Sequence, residues 1–240
     1  MKRLLAMTTG LSFILTATAL GGEAIAVSTA SNGGSASANA TAVGNSDSVA
    51  IAGATRGGQA IANSDARGRR NGYASSRSVA MADHGLAISN SLADARGSFG
   101  GSAIADSESI AAAVGGQAIS NSEAIADGTF RGNARSRSTA TSLAEYGTAL
   151  SDSRATSRGI RGGRATSGSD SQAVTFGGRS VSRSRVMSDA RYHATASANG
   201  LGISHSGVLR HSRSRVHVES RAVHRGHSQS RGVVIRIRKR

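Results

Sequence analysis

"AIADSESIAAAVGGQAISNSEAIAD", residues 103–127, contains the rule that organises the chain. Every second residue around the glycine pair at 115 and 116 is small: Ala103, Ala105, Ser107, Ser109 and Ala111, then Ala118, Ser120, Ser122, Ala124 and Ala126. The residues between them are of every kind, such as Ile104, Asp106, Glu108, Ile119, Asn121 and Glu123. Alternate side chains point to opposite faces in an extended strand, so a period of two is β geometry, here with one uniformly small face.

The pattern extends in both directions. Rungs start at Ala60, Ala74 and Ala87 upstream and at Ala134, Ala149, Ala165 and Ser180 downstream. Of the 44 alternate positions in these rungs, 43 are Ala or Ser, and Val186 is the exception. From Ala87 onward the starts are spaced 16, 15, 16, 15, 16 and 15 residues. A near-constant period with a glycine-rich turn marks a solenoid, in which each coil buries its face against its neighbours. Alanine alone is a weak strand former, but identical small residues stack and let two sheets approach closely.

The expected fold is therefore all-β, a β-solenoid (parallel β-roll) with an Ala/Ser-lined interior over residues 20–198. Half-repeats such as "AISN" and "AIAD" within 118–127 favour one coil per rung. Each coil would then be built from two short strands and contain about 15–16 residues, one repeat of the solenoid. The alternation of 15 and 16 leaves a second geometry open, a 31-residue coil with two longer strands.

Composition sets limits on this fold. Ile, Leu, Val and Phe supply only 42 of 240 residues, which excludes a thick aliphatic core. With a formal charge of +15, that scarcity also admits a disordered cationic polypeptide, against which stands the absence of proline. No cysteine is present, so disulfides, thiolate zinc sites and cysteine nucleophiles are excluded together.

Lys2 and Arg3 followed by the apolar run Leu4 to Leu20 read as an export signal. Cleavage candidates follow Ala19 and Ala26. The first is preferred because "GGEAIAVSTA" (21–30) already has the layout of "GGQAIANSDA" (57–66). The expected organisation is a leader over 1–19 (alternatively 1–26), the solenoid over 20–198, and basic His/Arg-rich terminal coils or a tail over 199–240. The mature chain would be extracellular or at the cell surface, without an integral membrane segment.

"NSDSVAIAG" (45–53) and the recurrent "AIAD" and "AISN" steps resemble the head repeats of trimeric autotransporter adhesins of bacteria. The resemblance covers roughly residues 33–198. It implies a left-handed parallel β-roll in a surface-exposed homotrimer that adheres to a host or matrix surface. The chain departs from that family in its period of 15 to 16 where those repeats usually have 14, and in lacking a heptad stalk and a membrane barrel.

Charge is uneven along the chain. Residues 1–120 carry a net +1 and residues 121–240 a net +14. This places a basic surface at the distal end, with anionic polymers as the implied partner. The candidate polyanion contacts are Arg183, Arg185, Arg213, Arg215, Arg221, Arg236 and Arg238. The "SRS" steps among them follow from the strand period, an outward arginine between two inward serines. His205, His211, His217, His224 and His227 read as solvated surface, with no metal site expected. The closing "VVIRIRKR" (233–240) reads either as a last strand covering the open end, with Ile235 and Ile237 inward, or as a frayed basic tail.

No G-x-S-x-G, G-x-x-x-x-G-K-[ST], H-E-x-x-H or G-G-x-G-x-D pattern occurs, so no enzyme, cofactor or small-molecule substrate is expected. The glycine pair at 115 and 116, a phosphate cradle in other contexts, has copies at 57, 100, 162 and 177 and reads as a turn. The expected function is an exported, non-enzymatic structural or adhesive protein, with a soluble polyanion- or ice-binding solenoid as the alternative. The varied outer face (Ile119, Glu123, Arg135, Arg183) argues against a lattice match to ice.

Overall fold

The computed structural model describes residues 2–10, 13–69, 72–97, 102–128, 133–160, 164–176, 178–191, 195–206, 212–223 and 227–238. Its strands are, in chain order, β1 (Lys2–Gly10), β2 (Phe13–Ala30), β3 (Ser35–Ala54), β4 (Gln59–Arg69) and β5 (Tyr73–Asp83). There follow β6 (Leu86–Gly97), β7 (Ser102–Val114), β8 (Gln117–Gly128), β9 (Asn133–Glu145) and β10 (Thr148–Ile160). The last are β11 (Arg164–Phe176), β12 (Arg179–Arg191), β13 (Thr195–Ser206), β14 (Ser212–Val223) and β15 (His227–Arg238). The described residues contain no helix.

All pairings are parallel, in the order β14-β12-β10-β8-β6-β4-β3-β5-β7-β9-β11-β13-β15, with β2 on β3 and β1 on β2. Even-numbered strands from β4 on form one wall of the solenoid and odd-numbered strands from β5 on the other. Strand β3 belongs to both: residues 35–43 pair with β4 and residues 46–54 with β5.

The coil length differs from the favoured expectation. Thr148 pairs with Gln117 on one side and with Arg179 on the other, and Asn121 bonds to Asn90 across one coil, a separation of 31 residues. A coil therefore takes two rungs, not one. Successive rungs face each other across the interior instead of stacking, and each is one strand of 11 to 13 residues in the regular part of the stack. The two spacings are two kinds of corner. The step of 15 crosses the tight corner Gly115-Gly116 between Val114 and Gln117, and the step of 16 crosses the opposite, longer corner. Coils are shorter at the amino end, where Ser35 pairs with Gln59, and longer at the other, where Ser180 pairs with Ser212.

The interior is as expected. All 44 alternate positions are buried, most of them with no exposed surface. Serine hydroxyls cross between the walls: Ser91 Oγ donates to the Ser76 carbonyl at 2.6 Å, Ser107 to Ser91 at 2.8 Å, Ser122 to Ser107 at 2.8 Å and Ser138 to Ser122 at 2.7 Å. The series continues through Ser153, Ser169 and Ser184. A side chain of two heavy atoms that reaches the facing backbone defines how thin the core is. Each such bond contributes on the order of 1 kcal/mol net, which matters where apolar area is scarce.

Val186, the exception to the small face, is accommodated by glycine. A Cβ on Gly200 would lie 3.1 Å from Val186 Cγ2 and 2.8 Å from methyls of Val216 and Val218. Volume added on one wall is removed from the other.

The tight corner explains the glycine pair. The first corner residue is left-handed at Gly57 (φ 85°), His84 (52°), Gly115 (64°) and Tyr146 (51°). The second is always glycine, because a Cβ on Gly116 would lie 1.8 Å from the Gly85 carbonyl oxygen, and one on Gly147 1.8 Å from that of Gly116. Gly58, Gly85 and Gly178 occupy the same column. The copies at Gly100, Gly162 and Gly177 lie outside the described residues.

At the carboxyl end, β15 pairs with β13 in a register that sets Ile235 beside the outward Ile203. Ile235 is 39% exposed, not inward as expected. The alternation of β13 carries over to β15 with the same phase, and that phase places Ile235 on the outer face. Ile237 is fixed by backbone register alone, opposite His205.

The amino-terminal residues continue the stack. β1 pairs with residues 22–30, and β2 shifts register against β3 between Leu20 and Gly22, next to the expected cleavage point.

Candidate functional site

Outward residues align into columns that run along the rod. On the even wall one column reads Asn39, Asn63, Asn90, Asn121, Asp152, Arg183 and Arg215. Its amide part is a ladder: Asn63 Nδ2 donates to Asn39 Oδ1 at 2.7 Å, Asn90 to Asn63 at 2.9 Å and Asn121 to Asn90 at 2.9 Å. The ladder satisfies itself, whereas among the described residues no side-chain hydrogen bond continues it through Asp152, Arg183 and Arg215.

Around those arginines lies an open groove of about 580 Å³ lined by Asp152, Arg183, Arg185, Arg215 and His217, with Val216 and Val234 inside it. The strand period puts Arg183 and Arg185 on the outer face of β12. The 32-residue coil then sets Arg215 beside Arg183 and His217 beside Arg185. Arg213 sits next to them, paired with Val181. Among the described residues, none of Arg183, Arg185, Arg213 and Arg215 has a carboxylate within 4.0 Å. Arginines elsewhere do: Arg77 meets Glu108 at 2.7 Å, Arg154 meets Glu123 at 3.5 Å and Arg191 meets Asp189 at 3.0 Å. Like charges on adjacent strands destabilise a sheet, and a bound anion removes that repulsion. Guanidinium groups also offer fork-shaped donors that match sulfate and phosphate oxygens.

The remaining expected contacts are distributed differently. Arg221 pairs with Asp189 in a column of alternating charge, Arg96, Asp127, Arg158, Asp189 and Arg221, and belongs to a charge-balanced surface. Arg236 and Arg238 are placed by backbone register alone, opposite Ser204 and Ser206. His205 and His227 are on β13 and β15; His211 and His224 lie outside the described residues. The described residues hold no cluster of three metal-ligating groups.

Within the alternating column, burial pushes the Asp127 carboxyl above its ordinary value, against the opposing effect of Arg158. The folded chain therefore holds that proton to higher pH than the unfolded chain does. The resulting stability is fully present below the ordinary aspartate value of 3.8 and is lost as pH rises through the raised folded value. Asp127→Asn is expected to remove this component, so that variant and parent diverge in thermal midpoint as pH rises, with the variant higher. A parallel pair of pH profiles would refute it.

The asparagine ladder was not anticipated from sequence. Its members are separated by 24, 27 and 31 residues, and only the coil lengths reveal them as neighbours.

The fold and this face together define a β-solenoid with an asparagine ladder on its amino half and, towards its carboxyl end, four arginines that among the described residues have no carboxylate within 4.0 Å. Comparison with family models, curated proteins and solved structures finds no match to this chain. No helix among the described residues is long and apolar enough to cross a membrane.

Proposed function

We propose that the protein is an exported, non-enzymatic adhesive rod whose basic carboxyl-terminal face holds anionic polymers. The observation that carries this reading is the group Arg183, Arg185, Arg213 and Arg215, aligned on adjacent strands with no carboxylate within 4.0 Å among the described residues. A charge-balanced face would have served solubility equally well, as the column through Asp127, Arg158 and Asp189 illustrates. The rod supplies rigidity, since parallel strands with a packed small-residue interior hold the guanidinium groups at fixed spacing. The apolar run at residues 4–20 supplies export in this reading, with the mature chain starting at Leu20.

Retention on immobilised heparin and on inorganic polyphosphate tests the proposal. The exported protein, its amino terminus fixed by mass spectrometry at Leu20, is expected to bind both in a salt-dependent way. Replacing Arg183, Arg185 and Arg215 with serine is expected to weaken binding at least tenfold. The slope of log affinity against log salt should fall by about one for each arginine removed. Equal loss on replacing the ion-paired Arg67, Arg77 and Arg96 would reduce the effect to net charge and overturn the assignment to this face.

A further inference from the structure

The odd-numbered wall carries a second groove, of different chemistry. It runs along the rod between two outward columns. One is Gly53, Met81, Ala112, Leu143 and Val174, and the other is Asp83, Val114, Glu145 and Phe176. The groove is open, has a volume of about 700 Å³, and among the described residues no basic one lines it. Its sides are large apolar groups left in water: Met81 is 51% exposed, Leu143 44%, Val114 42% and Phe176 63%. The floor is the inward column Ala30, Ala54, Ala82, Ala113 and Ala144. These alanines retain 4 to 6% exposure while the inward alanines beside them, such as Ala52, Ala80 and Ala111, have none.

Three features define an occupant. The floor crosses five strands, so it is straight over about 19 Å at an inter-strand spacing of roughly 4.8 Å. Its sides are two residues apart on each strand, about 7 Å between backbone positions, which admits one chain of methylenes and no ring system. The floor's backbone N–H and C=O groups are already paired within the wall, so a peptide strand laid along it would leave its own polar groups without partners. Charge completes the description. In a chain of net +15, the ionisable groups lining this groove among the described residues are the carboxylates of Asp83, which meets the His84 imidazole at 2.5 Å, and of Glu145. Glu145 has no ion pair within 4.0 Å among the described residues.

We infer that this groove binds an unbranched alkyl chain bearing a cationic head group, with the methylenes along the alanine floor and the head group at Glu145 or Asp83. The site is on the wall opposite the arginine face and does not depend on it.

Calorimetric titration of the full chain with dodecyltrimethylammonium, kept below its micelle-forming concentration, tests the inference. Decyl and tetradecyl homologues complete the series, and dodecanoate serves as the anionic control. Saturable one-to-one binding is expected, strengthening about twofold to fourfold per added methylene as each is taken from water. Ala112→Phe fills the groove from its outward column without entering the interior, and should weaken binding at least tenfold. The pair Asp83→Asn and Glu145→Gln, which changes no packing, should abolish the preference for the cationic head group over dodecanoate. If Ala112→Phe alters the circular dichroism spectrum, the carboxamide pair alone decides. Absence of saturable heat, affinity independent of chain length, or unchanged head-group preference in that pair would each overturn the site.

Discussion

Gly116→Ala is expected to destabilise the fold by about 3 kcal/mol or more, a cost seen only where a substitution meets an immovable neighbour. The added Cβ would lie 1.8 Å from the Gly85 carbonyl oxygen. That carbonyl accepts the Gln117 amide at 3.0 Å, so it cannot swing aside without breaking the step that joins one coil to the next. Gly85→Ala and Gly147→Ala should behave alike, since their Cβ atoms would meet the Gly58 and Gly116 oxygens at 1.9 and 1.8 Å. The preceding corner position gives the contrast. His84 is left-handed at φ 52°, and His84→Gly should change stability by no more than about 1 kcal/mol, relief of backbone strain being offset by a freer unfolded chain. Denaturant midpoints for the four variants would measure both effects. A mild Gly116→Ala would mean that the corner spreads freely.

A second large effect is expected in the middle of the interior. Ser138 donates to the Ser122 carbonyl at 2.7 Å, its oxygen lying 3.0 Å from the Ser122 hydroxyl, and its own carbonyl accepts from Ser153 at 2.7 Å. Ser138→Ala removes one donor and leaves the acceptor, at a cost of about 1 kcal/mol. Ser138→Val adds branches where the facing backbone is within reach of a serine hydroxyl, and should cost about 3 kcal/mol by overpacking. In an ordinary aliphatic core the order would reverse, valine being the better-buried residue. Equilibrium unfolding of the two variants distinguishes the cases, and a valine variant as stable as the alanine one would contradict so thin a core.

The interior was legible in the sequence because a period of two leaves a strand no other way to arrange its side chains. Ser76, Ala105 and Ser184 could be assigned inward one by one. Coil length was less accessible, since the rung at 103–111 and the rung at 118–126 look alike although they belong to opposite walls. The information lay in the alternation of 15 and 16, two kinds of corner in turn. The columns depend on that length. Arg183 and Arg185 were readable as outward, but their neighbours Arg215 and His217 follow only from a 32-residue offset. The alkyl groove was hidden for the same reason: Met81, Ala112 and Leu143 become neighbours only when a coil spans two rungs.

The serine series has a sense as well as a sequence. From Ser64 through Ser76, Ser91 and Ser107 to Ser184, each hydroxyl gives its hydrogen to the carbonyl of the preceding member, towards the amino end. The carbonyls cannot donate, so a hydroxyl bonded to the preceding carbonyl keeps this sense, whereas Ser142, Ser167 and Ser188, outside the series, donate towards the carboxyl end. Within the series the O–H dipoles therefore share an axial component, and neighbours in such a chain polarise one another. The series is thus a polar thread inside the rod, its hydrogens turned towards the amino end and its last hydroxyl that of Ser184, between Arg183 and Arg185. A sheet, whose strand dipoles lie across the axis of stacking, has no such polarity of its own; here the serine series inside it provides one.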